Sequence, residues 1–179
     1  GWYRGPVSVV LTATDASSGV SRSEYRLDNG EWTAAAGPIV VAADGVHQLE
    51  YRSVDVAGNE EASKTLELRI DATAPTLTVQ LDRPSIFPPN KKMIDIRATL
   101  ASNDATSGVA SVTLTSIESN EPEEGSIEAA IGTSTDTFRL KADRNGNGNG
   151  RVYTITYTII DVAGNSSTAV ATVTVPHNN

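Results

Sequence analysis

Apolar and polar side chains alternate with a period of two along much of this chain. Val7, Val9, Leu11 and Ala13 alternate with Ser8, Val10, Thr12 and Thr14, Tyr25 and Leu27 with Glu24 and Arg26, and Leu49, Tyr51 and Ser53 with Glu50 and Arg52. Further along, Ile94, Ile96, Ala98 and Leu100 share one parity, as do Tyr153, Ile155, Tyr157 and Ile159. A strand turns successive side chains to opposite faces, so each run predicts a strand with one face on a core. No window of 11 or more residues sustains an apolar period of 3.6, and Thr, Val and Ser, poor helix formers, fill the runs instead. Asn29-Gly30 and Asp44-Gly45 predict hairpin turns, because these residues tolerate positive φ. Short strands with turn signals about every 8–12 residues predict an all-β chain folded as antiparallel sandwiches.

The pattern occurs twice. Asp15-Ala16-Ser17-Ser18-Gly19-Val20 returns as Asp104-Ala105-Thr106-Ser107-Gly108-Val109, and Tyr51 to Asn59 returns, ending in the same Asp-Val-Ala-Gly-Asn, as Tyr157 to Asn165. A repeat of two ordered motifs predicts two copies of one fold, with boundaries at 1–70 and 71–179 across the Pro75 linker. The paired Asp residues stand 40 apart in the first copy and 57 apart in the second. Loop insertions of this size carry little entropic cost, and the acidic Ser119–Gly125 and the glycine-rich Asp143–Gly150 are the candidates. The second copy has Thr76–Leu81 ahead of its alternating strand, whereas only Gly1–Pro6 precede the equivalent in the first. The first copy therefore lacks an opening strand, which reads either as excision from a longer chain or as an unpaired sheet edge.

Composition narrows the chemistry. With 14 basic and 22 acidic side chains the net charge is −8, and no basic cluster offers the positive field that nucleic acid requires. No apolar run approaches the roughly 18 residues of a membrane span, and nothing at the start resembles a signal peptide, so a mature soluble fragment without membrane insertion is expected. The absence of Cys excludes disulfides, thiolate catalysis and Cys-ligated zinc. The histidines are His47, on the inward parity of its strand, and His177, near the end. No G-x-S-x-G elbow occurs, and Glu121, Glu123 and Glu124 in a Pro-flanked run read as a solvated loop rather than a glycosidase pair. The expectation is a chain that is not an enzyme.

Four ordered motifs, Gly1 to Val7, Asp15 to Val20, Glu24 to Trp32 and Tyr51 to Asn59, resemble the bacterial Ig-like repeat family named after a leptospiral outer-membrane protein. The second copy resembles a related bacterial Ig-like type through Phe87 to Met93, Ser119 to Pro122, Asn149 to Ile155 and Asp161 to Asn165, with Phe87 and Lys91 where such families often carry Trp and His. The resemblance implies two tandem immunoglobulin-like antiparallel β-sandwich domains. It also implies an extracellular or bacterial cell-surface protein, in which these modules serve as non-catalytic spacer or interaction units beside neighbouring domains of the same polypeptide. A lipid-facing barrel does not fit, because the outward positions are Arg, Glu and Thr.

Two constellations remain. Counting by twos along the strands places Asp15 and Asp55, and likewise Asp104 and Asp161, on the inward register at what would be one pole of each sandwich. Burying anions costs several kcal/mol unless they are compensated. Each Asp either caps its own turn through backbone N–H groups, which the following Ser-Gly and Ala-Gly-Asn sequences suit, or helps bind Ca²⁺. In the second case Asp71 from the linker would join Asp104 and Asp161 and stiffen the joint between domains. Asp143, Asn145, Asn147 and Gly148 imitate an EF-hand opening, but Thr154 stands where the bidentate Glu belongs, so a long flexible hairpin loop is expected. For a glycan or other surface ligand, the aromatics left over by strand parity are Trp2, Tyr3, Trp32 and Phe87, with Trp2, Trp32 and Phe87 as the binding candidates, set against packing at the core or its edge. Tyr51 and Tyr157 are candidates for a structural hydroxyl tie.

Overall fold

The computed structural model describes residues 1–177 and divides into two compact units, Gly1–Thr73 and Ala74–Asn179. In the first unit the strands are β1 (Val7–Val9), β2 (Val20–Leu27), β3 (Thr33–Ala34), β4 (Ile39–Val41), β5 (Gly45–Asp55) and β6 (Lys64–Ile70). They form a two-stranded sheet, β1-β4, and a four-stranded sheet, β3-β2-β5-β6, with antiparallel pairing throughout. Ile39, Val41, Leu49, Leu68 and Ile70 make the core between them, with Val7, Val9, Leu11, Tyr25 and Leu27 packed against it. Val7, Val9, Leu11, Tyr25, Leu27 and Leu49 are residues of the inward parity, joined by Ile39, Val41, Leu68 and Ile70 from β4 and β6, and full burial of each large aliphatic side chain contributes about 1.5–3 kcal/mol.

The second unit contains β7 (Thr76–Leu81), β8 (Met93–Asn103), β9 (Val109–Ser119), β10 (Ile127–Glu128), β11 (Thr137–Lys141), β12 (Gly150–Asp161) and β13 (Ser166–Pro176). A four-stranded sheet, β10-β11-β8-β7, faces a three-stranded sheet, β13-β12-β9. Four strands against three in this connectivity is the order of an immunoglobulin constant-type sandwich. Tyr153, Ile155, Tyr157 and Ile159 are all wholly buried, and Ile96, Ala98, Leu114, Leu140, Val173 and Val175 close around this row. The Tyr157 hydroxyl donates to the Thr135 carbonyl at 3.0 Å, so the expected tie forms in this unit, and burial pushes the phenol up to about 12.

Three local expectations are corrected. The turn between β2 and β3 is centred on Asp28 and Asn29, both at positive φ, and closed by Gly30 N donating to Leu27 O at 2.9 Å, rather than on Asn29-Gly30. Asp44-Gly45 is no hairpin turn, since β4 and β5 belong to different sheets. The Asp44 carboxylate instead accepts from Ala72 N at 2.8 Å and from the Thr73 hydroxyl at 2.5 Å, holding the segment that leaves β6. The glycine-rich Asp143–Gly150 is likewise a crossover, from β11 in one sheet to β12 in the other. Asn145 N donates to Glu121 at 2.8 Å and Arg144 reaches the Pro176 carbonyl at 3.1 Å, so the segment is tied down rather than free. Local turn chemistry identified these connections, but which strands they join is decided by distant pairing.

Candidate functional site

In both units the repeated motifs build the same pair of interlocked loops. Asp15, just before β2, accepts backbone N–H bonds from Ser17, Ser18 and Gly19 at 3.0, 2.8 and 2.8 Å. Asp55, ending β5, accepts from Asn59 N and Asn59 Nδ2, both at 2.7 Å. One loop is sewn to the other by Val56 N donating to Gly19 O at 3.0 Å. The second unit repeats this. Asp104 accepts from Thr106 N at 3.2 Å and Gly108 N at 2.6 Å, Asp161 accepts from Gly164 N and Asn165 N at 2.6 and 2.8 Å and from Asn165 Nδ2 at 2.8 Å, and Val162 N donates to Gly108 O at 2.9 Å. The glycines at 19, 58, 108 and 164 all stand at φ between 84° and 95°, which an L side chain rarely adopts and which turns the backbone N–H groups toward the carboxylates.

Electrostatics differ between the copies. Donation from the Gly19 and Ser17 amides holds the Asp15 carboxyl below the usual range, against a small opposing effect of Asp55. Asp55 is lowered by the Asn59 side chain and then by the Asn59 backbone. Both carboxylates sit at a solvated rim. In the second unit Asp161 is 2 % exposed, and one of its oxygens lies within 4.8 Å of one from Asp104. At an effective dielectric of 20, two charges at that distance repel by roughly 3 kcal/mol, which the loop amides must offset. Asp71, wholly buried at the end of the first unit, accepts from Thr73 N at 3.1 Å.

The other candidates have scattered. Asp143 accepts from Arg144 N, and Thr154 lies inside β12, so the EF-hand-like letters do not share a loop geometry. Trp32 does not cap the core edge: the guanidinium carbons of Arg26 and Arg52 sit 5.0 and 4.3 Å from its ring centroid, on the outer face of β2 and β5. Its π surface is engaged from within the unit. Trp2 is half-buried and Phe87 is 49 % exposed. His47 is a rim histidine, its Nδ1 2.7 Å from Asp28 Oδ2 and its Nε2 3.0 Å from the Ala43 carbonyl.

Two networks escaped the sequence reading. Glu24, only 8 % exposed on the supposed solvent face, lies between Arg22 and Arg52 at 3.0 and 2.6 Å, while Arg26 pairs with Glu50 at 2.8 Å. These are cross-strand neighbours, Glu24 opposite Arg52 and Arg26 opposite Glu50, so the register could have revealed them once known. In the second unit the acidic run is exposed over residues 122–125, as expected, but it is anchored by ion pairs that the sequence did not suggest. Arg151, 3 % exposed, pairs with Glu123 at 2.9 Å, lies 3.6 Å from Glu121 and donates to the Tyr153 hydroxyl at 3.1 Å, while Lys141 also meets Glu123.

The His47–Asp28 pair carries a pH dependence. Hydrogen bonding to Asp28 raises His47 above 6.5, and the same bond lowers Asp28 below 3.8. The histidine contribution is complete below pH 6.5 and lost as pH climbs through the raised value. The aspartate contribution is complete above pH 3.8 and lost as pH falls through the lowered one. The first unit should therefore melt highest between these values. Asp28→Asn, which tolerates the positive φ, should flatten the alkaline decline in calorimetry; an unchanged decline would assign it to other groups.

No protein-family model matches the chain, and no curated protein matches it in sequence. The resemblance to the leptospiral-named family thus stands on its motifs. Solved structures do match. Each unit is an immunoglobulin-like sandwich. Among the similar structures, the Clostridium thermocellum CbhA fibronectin(III)-like modules are 14 % identical at a TM-score of 0.37, covering 98 % of this chain and 87 % of that one. The D00-D0 domain of intimin is 13 % identical at 0.41, covering 96 % and 93 %. The Bacteroides ovatus SGBP-B, solved with a mixed-linkage heptasaccharide, is 14 % identical at 0.33, covering 97 % of this chain and 41 % of its own. Likeness at this level says nothing of ligand or activity.

Proposed function

We propose that the chain is a non-catalytic pair of Ig-like modules from a secreted or surface-displayed bacterial protein, spacing and presenting neighbouring domains of the same polypeptide. The observation that carries this reading is the duplicated loop clamp, in which Asp15, Asp55, Asp104 and Asp161 are committed to holding backbone. His47 is similarly occupied on both nitrogens. A spacer's work is mechanical. Pulling the full chain between handles should give two unfolding steps. At about 3.5 Å per residue, 73 and 106 residues correspond to roughly 26 and 37 nm before the folded lengths are subtracted. One step releasing the whole length would contradict two independent mechanical units.

A carbohydrate-binding accessory role rests on Trp2 and Phe87, since Trp32 is already stacked under arginine. Titration with soluble β-glucans should leave the tryptophan fluorescence unquenched; saturable quenching abolished by Trp2→Ala would favour the binding role instead.

A calcium role has one specific observation in its favour, the approach of Asp104 to buried Asp161 within 4.8 Å. Aspartate oxygens are hard ligands of the kind Ca²⁺ selects, and binding to the native state alone must raise stability. Melts in excess Ca²⁺ and in EDTA separate the possibilities. Coincident curves are expected if the loop amides alone balance the charge, whereas a rise in the second unit's transition with Ca²⁺ would assign the pair to a cation.

A further inference from the structure

The internal repeat isolates one edge of the second unit. β6 and β13 are counterparts, each following the Asp-Val-Ala-Gly-Asn turn and pairing with the strand before it, β5 or β12. Both are outermost strands of their sheets. An edge strand presents unpaired N–H and C=O groups, and charged side chains are a common guard against its pairing with another chain. β6 carries Lys64, Glu67 and Arg69. β13 has no charged residue between Ser166 and Pro176, and Thr168, Val170 and Thr172 are exposed along its outer face, Val170 by 57 %. These three are β-branched and suit an extended pairing. The chain that follows β6 continues to β7 and adds no strand to the β6 edge.

The direction of the main-chain groups is fixed at both ends of β13. Asp161 N donates to Asn165 O at 3.1 Å where the hairpin opens, so residues of Asn165's parity bond back to β12 and those between them face the outer edge. The far end shows this directly: Thr174 N donates to Pro84 O at 3.0 Å, and Ile86 N donates to Thr174 O at 2.8 Å. Thr168, Val170 and Thr172 share the parity of Thr174, and their N–H and C=O groups have no main-chain partner among the described residues. β7 runs beside β13 in the facing sheet, but its ladder goes to β8.

The stretch along this open edge is a palindrome, Thr168-Ala169-Val170-Ala171-Thr172. Laid antiparallel on a second copy about a two-fold axis at Val170, it sets Val170 opposite Val170, Thr168 opposite Thr172 and Ala169 opposite Ala171. Every outward-facing residue then falls in a hydrogen-bonded pair that exchanges two bonds, and Thr174, already engaged, is not needed. We infer that the protein forms a two-fold dimer through β13, in which two three-stranded sheets join edge to edge. A two-fold contact must be self-complementary, and this sequence is. Main-chain bonds supply the affinity, and the absence of charge removes the repulsion that guards β6.

The test is sedimentation and hydrogen exchange of the full chain from micromolar to millimolar concentration. A concentration-dependent doubling of mass is expected, with the amides of Thr168, Val170 and Thr172 slowing about tenfold or more as the dimer forms. Those of Ala169 and Ala171, already bonded to β12, should not change. Val170→Lys sets like charges opposite each other at the axis and should abolish the dimer, while the melting temperature of the second unit moves by no more than about 4 °C. Thr156→Lys, opposite Val170 on β12 and on the same outer face, should leave the dimer intact, because edge pairing does not cover that face. A mass that stays single up to millimolar concentration would overturn the inference. So would a dimer that survives Val170→Lys or is lost with Thr156→Lys, since either places the contact elsewhere. Slow exchange of the three amides at every concentration would mean that the chain covers its own edge, and would overturn it equally.

Discussion

Asp161→Ala is expected to destabilise the second unit by about 3 kcal/mol, seen as loss of its calorimetric transition temperature relative to the first unit. Bonds to a charged acceptor contribute on the order of 1.5–3 kcal/mol each. Asp161 accepts from Gly164 N, Asn165 N and Asn165 Nδ2, and at 2 % exposure no water replaces it. Removing the carboxylate also relieves its repulsion with Asp104, worth roughly 3 kcal/mol, so the net cost is a few kcal/mol rather than the sum of the bonds. The matched change Asp55→Ala, at a solvated rim, should move the first unit's transition much less. Equal shifts would mean that burial does not distinguish the two clamps.

Arg151→Met should be comparably severe, again about 3 kcal/mol, because removing one member of a buried ion pair leaves its partner charged and desolvated. The stranded partner is Glu121, whose side chain is 10 % exposed and which also holds Asn145 N at 2.8 Å. Both inserted loops hang on this group: Glu121 and Glu123 belong to one, Asn145 and Gly148 to the other, and a Cβ at Gly148 would come within 2.8 Å of Glu121 Oε1. Faster backbone exchange across 119–126 and 143–150 should accompany the loss. Adding Glu121→Gln should recover part of it, giving a coupling energy in a double-mutant cycle. Strict additivity would show that Arg151 does not act through Glu121, leaving its pair with Glu123 and its contact with Tyr153.

How much of this was readable beforehand depends on range. Side-chain parity placed Tyr153, Ile155, Tyr157 and Ile159 inward, and all four are wholly buried. The two Asp motifs announced their turns because the donors lie two to four residues from the acceptor. What stayed hidden was long-range. Arg151 and Glu123 are 28 residues apart and Glu24 and Arg52 likewise 28, separations at which no local pattern registers. Polar letters on outward positions read as solvated, yet Glu24 is covered by Arg22 and Arg52, the second of which also stacks on Trp32. Asp44-Gly45 had turn chemistry without a hairpin, because the chain crosses between sheets there.

In both units the clamp aspartates serve the backbone. Hydrogen exchange at the amides of Gly19, Asn59, Gly108 and Asn165, each of which donates to an aspartate, tests this most directly. At neutral pH all four should exchange at least tenfold more slowly than the Ala57 amide in the same kind of loop. Exchange at the Ala57 rate in both units would mean that the aspartates are free for other work.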